Sequence, residues 1–219
     1  MGSRPEPAID EKWKYRLQQE IDHRIRNNFQ IILSMCAIQE AYDAIGAGER
    51  GLDALKGRIH ALAAVYECLD AVREYPNFDL AQFLSSFTEF LVRLGYQKTS
   101  GRIEYEIDIA QDKVLLNSDT AVAVGLILYE LVKNAWHHAF SRHRGETCMI
   151  SIASRFADGT CVVSVSDNGV GLPETFNLTK DKRCGLLLAH SLVDQIRGRL
   201  KRRFEAAGGL CWSLAFPAP

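Results

Sequence analysis

Six apolar residues, Leu52, Leu55, Ile59, Leu62, Tyr66 and Leu69, recur at alternating steps of three and four. That spacing makes a seam narrower than the stripe of an ordinary surface helix, of the kind that is buried when helices pair along their length. An upstream stretch carries its own pattern, Leu17, Ile21, Ile25, Phe29 and Ile32, and Gly46, Gly48 and Gly51 mark a turn between the two. The first third of the chain therefore predicts a long antiparallel helical hairpin. Two helices alone bury such a seam poorly, so a homodimer that completes a four-helix bundle is the default expectation.

The hairpin pattern gives out at Arg73-Glu74-Tyr75-Pro76-Asn77, where Pro76 ends helical pairing and offers a short joint. Two domains are expected, residues 8–75 and residues 76–219. In the second, Asp79 can cap a helix through about Leu94, and Ile103, Tyr105, Ile107 and Ile109 alternate as a half-buried strand. Ser118 can cap a helix through about His138, nearly all apolar in its first half. Strands near 148–156 and 160–166 flank Ala157-Asp158-Gly159 as a hairpin, a helix runs from about Gly185 to Ile196, and strands near 199–206 and 210–216 join at Gly208-Gly209. The fold class is thus α plus α/β: a helical hairpin followed by an α/β sandwich, with helices on one face of a mostly antiparallel sheet.

With 219 residues and 47% hydrophobic content, the chain can bury cores of this kind. Its 26 Lys and Arg stand against 27 Asp and Glu, so no overall positive field draws it to nucleic acid or an anionic membrane. The basic run Arg197, Arg199, Lys201, Arg202 and Arg203 reads as a solvated strand face. No apolar run approaches the roughly 20 residues that span a bilayer, and the start, MGSRPEP, has no signal-peptide core. Six cysteines lie far apart without C-x-x-C spacing, which argues for reduced thiols in a cytoplasmic protein rather than a zinc site.

His23 sits two residues, about 200°, from both Ile21 and Ile25, so its imidazole points away from the apolar stripe. Gln19, Arg26, Asn27 and Gln30 share its face and surround the ring with a polar strip. A phosphoryl acceptor needs this setting: a ring nitrogen unprotonated at neutral pH, accessible to a donor, beside groups that hold its tautomer. A plain surface histidine fits the same spacing. His60, His137, His143 and His190 lack such surroundings.

Further on, Glu130 and Asn134 are one turn apart and share a helix face. An amide oxygen beside a triphosphate suits Mg²⁺, which takes a few oxygen ligands and keeps several waters; an ordinary cap at the end of a core helix is the other reading of Asn134. Asp167-Asn168-Gly169-Val170-Gly171 follows a strand, and its glycines permit backbone conformations and close ligand approach that side chains obstruct. Gly185 opens the next helix, whose N-terminal amides can bind phosphate.

Taken in order, His23-Arg24-Ile25-Arg26-Asn27-Asn28, Glu130-Leu131-Val132-Lys133-Asn134 and the Asp167–Gly171 loop resemble the transmitter core of the two-component sensor histidine kinases, specifically the His-Arg-x-x-Asn-Asn subfamily related to the HWE kinases. The resemblance runs from about residue 15 to the C-terminus. It implies that His23 is autophosphorylated, with Asn27 helping to position the phosphoryl group or a hydrolytic water. Asn134 is then the Mg²⁺ ligand of the N box, Glu130 its partner for water or metal, and His138 the usual histidine, while His137 stands where a lysine is common. Asp167, with Gly169 and Gly171, matches the G1 box of the ATPase fold shared with gyrase, the Hsp90 chaperone and the mismatch-repair protein MutL, and reads the adenine amino group.

Residues 174–184 resemble a short lid, which ends in Lys182-Arg183-Cys184-Gly185 where small residues and glycine are usual. Lys182 and Arg183 either bind the triphosphate or mark a partly degenerate site. No Trp-x-Glu element of the HWE kinases precedes the G1 box. The resemblance implies a cytoplasmic, ATP- and Mg²⁺-dependent protein histidine kinase, homodimeric, with a response-regulator receiver domain as partner. Its input comes from a separate sensor protein or a removed sensor domain. The alternative is a histidine phosphotransfer or adaptor protein that keeps the fold without binding ATP.

Overall fold

A computed structural model of the chain describes Asn27, residues 29–41, 51–71, 78–99, 103–140, 147–172, 184–205 and 208–218. His23, the Gly46–Gly48 turn, the joint at Pro76 and the lid with Lys182 and Arg183 lie outside the described residues. The chain divides into two compact units, residues 1–51 and 52–219. In the first, helix α1 covers residues 29–41. Met35 and Gln39, one turn apart, are buried, while Phe29 and Leu33 are exposed.

The second unit contains most of helix α2 (Gly51–Ala71), then strand β1 (Phe78–Asp79), helix α3 (Leu80–Thr99), strands β2 (Ile103–Asp108) and β3 (Leu115–Leu116), helix α4 (Ser118–Asn134), a π-helical turn (Ala135–Ala139), strands β4 (Cys148–Ala157) and β5 (Thr160–Asp167), helix α5 (Cys184–Gln195), and strands β6 (Arg199–Phe204) and β7 (Leu210–Pro217). The main sheet has the order β2-β4-β5-β7-β6. Its β2–β4 pair is parallel and the others are antiparallel. The two-residue pairing of β1 with β3 gave no periodic signal, because two residues are too few to alternate.

Local chemistry accounts for the element ends. Asp79 accepts from the backbone N–H of Gln82 at 3.1 Å and starts α3. On α4 the cap is Asn117 rather than the expected Ser118: its side-chain oxygen accepts from the Thr120 N–H at 2.8 Å. Either residue type can cap, and an extended backbone at Asn117 aims its oxygen at the free amides. Asp158 and Gly159 both have left-handed backbones, φ 50° and 70°, as a two-residue hairpin between twisted strands requires.

Register aligns the core. Ile152, Val165 and Trp212 pair across β4, β5 and β7, as do Ser154, Val163 and Leu214, and Cys161 pairs with Phe216. All of these side chains are buried, and α4 packs on β5 while α5 packs on β6. Burial pushes the Cys161 thiol to about 11, in keeping with a packing role. A stacked aromatic row, Phe83 to Phe87 at 5.7 Å and Phe87 to Phe90 at 5.6 Å, lines α3.

The seam on α2 divides. Leu62 and Leu69 are buried, whereas Leu52 is 65% exposed and Ile59 37%. The buried face of α2 is instead built from Ala54, Arg58, Ala61, Leu62, Val65 and Leu69. No helix among the described residues is long and apolar enough to cross a membrane.

Candidate active site: a nucleotide cleft

The cleft begins with strand alternation. Cys161, Val163 and Val165 point to the covered face of the sheet, and Asp167 continues that alternation, opposite Ile150 on β4 and Leu210 on β7. A carboxylate is thus carried to the end of a hydrophobic row. Its pKa is raised above the ordinary 3.8, first by burial, while the backbone amides of Gly169 and Leu210 pull it down. The Gly169 N–H donates to Asp167 Oδ1 at 3.0 Å.

Asn168 secures the next step of the loop. Its Oδ1 accepts from the Met149 N–H at 2.8 Å, and its Nδ2 donates to the Thr147 carbonyl at 2.8 Å. Both hold the loop to the start of β4. Gly169 then passes so near the Ala139 carbonyl that a β-carbon would collide with it. Gly171 has φ +67°, a conformation that side chains disfavour.

The facing wall comes from α4 and its π-helical continuation. Leu131, Asn134, Ala135, His138 and Ala139 line one side of the cleft. Val165, Asp167, Gly171, Leu172, Leu186, Leu210 and Trp212 line the other. The helix expected through His138 therefore changes its winding after Asn134. That single wide turn carries His138 into the cleft and Ala139 to the Gly169 loop, and π-turns of this kind concentrate at functional sites. Trp136, on the same turn, donates from Nε1 to the Tyr105 hydroxyl at 2.7 Å and ties the wall to β2.

Asn134, His138, Asp167 and Gly171 are thus brought into one cleft, with Gly169 supporting its floor. Gly185 lies in the first turn of α5, beside Leu186 of the lining. Glu130 is buried one turn before Asn134 and does not line the cleft: its Oε1 accepts from Arg58 Nε at 2.6 Å. Asn27 is helical and half-buried, in the other compact unit.

Several contributors were not read from the sequence. Trp212 and Leu210 are set by the register of β7, and apolar alternation alone cannot separate a cleft wall from core. Gly209 looked like an ordinary turn residue, yet it has φ +97° and a β-carbon there would strike the Asp167 carbonyl. Arg58 carried no signal, since it shares α2 with Lys56 and a cation on a helix is ordinarily expected to face solvent.

The donor set fits a hard cation. Glu130 Oε2 and Asn134 Nδ2 are shut off from solvent without a hydrogen-bond partner among the described residues. Rotating the Asn134 amide exchanges its nitrogen for an oxygen. Two oxygens one helical turn apart then suit Mg²⁺, which completes its shell with water and phosphate.

Residues 20–94 match a family described as "Histidine kinase", and residues 119–219 match "Histidine kinase-, DNA gyrase B-, and HSP90-like ATPase". The second match supports ATP as the nucleotide. The chain is 30% identical over 187 residues to the sensor histidine kinase PdtaS of Mycobacterium tuberculosis, covering 84% of this chain and 36% of that protein. It is 27% identical over 182 residues to blue-light-activated histidine kinase 2 of Erythrobacter litoralis, covering 83% and 51%. The chain therefore spans about a third to a half of the length of these relatives. Among solved structures, the Erythrobacter litoralis EL346 blue-light activated histidine kinase aligns with a TM-score of 0.67 at 23% identity, over 93% of this chain and 63% of that one. That likeness speaks for the fold.

Proposed function

This chain belongs to the histidine kinases, and on that premise we propose that it is an ATP-dependent enzyme that phosphorylates itself on His23 and passes the phosphoryl group to an aspartate of a response-regulator receiver domain. The observation that carries the nucleotide half is the half-buried Asp167 carboxylate at the end of the β5 hydrophobic row, lining one cleft with Asn134 and His138. A carboxylate there accepts from the adenine amino group and disfavours guanine, whose carbonyl at that position would repel it.

Each residue has a defined task. Asp167 orients the base, Gly169 and Gly171 let the backbone come close, and Asn134 with Glu130 would hold Mg²⁺. The first turn of α5, with Gly185, directs its amides and positive dipole end toward the phosphates. Lys182 and Arg183 add charge from the lid. Mg²⁺, when bound, neutralises phosphate charge; the protein's contribution is positioning. An unprotonated ring nitrogen of His23 attacks the γ-phosphorus as the bond to the β–γ bridging oxygen breaks, leaving ADP, and the other ring nitrogen releases its proton. Asn27, four residues after His23 in the sequence, positions the transferred group. A receiver carboxylate then takes the phosphoryl group from the imidazole.

ATP as donor places the reaction in the cytoplasm. The exposed Leu52 and Ile59 on α2 support a homodimer built along that helix, and the input would come from a separate sensor protein or a sensor domain. The deciding experiment is incubation with γ-labelled ATP and Mg²⁺. Acid-labile, base-stable protein phosphate that chases onto a receiver domain is the expected result. Failure of the protein to bind ATP at millimolar concentration would replace this reading with that of a non-ATP-binding phosphotransfer or adaptor protein.

A further inference from the structure

Arg58 and Glu130 form an ion pair in the interior: Nε to Oε1 is 2.6 Å, and each side chain is 1% exposed. Taking two charges out of water costs several kcal/mol per ion, and an apolar pair of the same volume is often as stable. Stability alone is therefore a poor reason for this pair. Its location is more informative. Glu130 lies one turn before Asn134 on the same face of α4, and its second oxygen, Oε2, has no hydrogen-bond partner among the described residues. That oxygen abuts Gly185 in the first turn of α5, where a β-carbon would strike it, and Arg58 Nη2 lies 3.7 Å from the same point. One carboxylate thus touches α2 through Arg58 and the phosphate-facing end of α5 through Gly185.

The approach of α2 to α4 is fitted by glycine on both helices. A β-carbon on Gly57 would collide with the Tyr129 hydroxyl, and one on Gly125 would collide with Val65. Gly57 beside Tyr129, Arg58 beside Glu130 and Val65 beside Gly125 put the ion pair among side-chain contacts between α2 and α4. The guanidinium is carried by α2, so moving that helix away from α4 withdraws it from Glu130.

We propose that Arg58 is a latch: while α2 sits on α4, its guanidinium holds Glu130 out of the nucleotide cleft, and Arg58 and the divalent cation of a bound nucleotide compete for that carboxylate. This rests on the reading of the cleft as a metal-nucleotide site. A carboxylate already paired at 2.6 Å has little remaining field to offer a dication, and a dication that captures it takes from α2 its ion pair with α4, which favours undocking of α2. Linkage makes the effect reciprocal: metal-bound nucleotide weakens docking of α2 by the same factor by which docked α2 weakens metal-dependent binding, so removing the Arg58 charge is expected to strengthen that binding. Arg58 is a positioning residue in this scheme and need not touch the nucleotide.

The test is calorimetric titration of the full chain with ADP, once with Mg²⁺ and once with a chelator, for wild type and Arg58→Met. The expected result is Mg-ADP binding about tenfold tighter in the variant, with metal-free ADP affinity unchanged. Equal Mg-ADP affinities, or losses of the same size in both conditions, would make Arg58 purely structural and overturn the latch. Absence of ADP binding by wild type in both conditions would instead bring down the nucleotide-site reading beneath it. Hydrogen exchange on wild type needs no variant and decides the matter even if Arg58→Met does not fold. Faster exchange of α2 amides with Mg-ADP, but not with ADP alone, supports the latch; unchanged or slower exchange refutes it.

Discussion

Val170 donates its backbone N–H to the Ala139 carbonyl at 2.9 Å, so the loop after β5 is bonded directly to the end of the π-helical turn. The residue before it, Gly169, has no room for a side chain against that same carbonyl. One backbone oxygen therefore sets the spacing between the cleft's two walls. Gly169→Ala must push them apart or bend the loop, at an expected cost of about 1–3 kcal/mol. Thermal denaturation should register this as a lowered midpoint together with weaker nucleotide binding. A variant with wild-type stability and affinity would show that the contact is not tight.

Asp167→Asn separates function from stability. The folded-state pKa of Asp167 is raised above 3.8, chiefly by burial. Its ionised form is thus disfavoured in the folded protein, a cost in force above the folded value and absent once pH falls below 3.8. Asparagine can keep accepting from the Gly169 N–H while shedding the charge. We expect the variant to lose ATP affinity at neutral pH yet unfold at the same temperature as wild type or higher, with the two converging in acid. Calorimetric ATP titration and melting curves at neutral and acidic pH check this; a clear drop in neutral-pH stability would contradict the assignment of cost.

The divided seam on α2 changes which substitution tests dimerisation. Leu62 is buried in the chain itself, so Leu62→Glu buries an unpaired charge and should destabilise the fold whatever the assembly. Ile59 is partly exposed, and Ile59→Glu should leave the monomer folded while weakening self-association. Light scattering and circular dichroism on both variants distinguish the cases. A wild-type protein already monomeric at tens of micromolar, on the order of ordinary assay concentrations, would remove the premise.

His23→Ala should abolish acid-labile phosphate incorporation from labelled ATP while leaving nucleotide affinity within about twofold, because Asp167, Asn134 and Gly171 belong to the other compact unit. Labelling that persists in the variant would move the acceptor to another residue.

Much of this protein was legible as local pattern. The β4–β5 hairpin was announced by Asp158-Gly159 between alternating strands, and α3 by Asp79, whereas the compact units divide at residue 51 and not at the expected joint near Pro76. Asp167, Gly169 and Gly171 could be singled out because a carboxylate and two glycines after a strand are a local chemical statement. Capping, turn formation and alternation act over a few residues, so a reading of neighbours recovers them.

Tertiary structure decided what depends on partners distant in sequence. Gly209 became a contact of Asp167 only through strand register, Trp136 found Tyr105 31 residues away, and Arg58 found Glu130 across 72. The α2 seam is uniform in sequence but unequal in burial, since a helix with apolar residues on more than one side takes its core face from whatever packs against it. A buried arginine makes the same point: its charge predicts an exposed position, and only a carboxylate brought in by another helix makes burial possible.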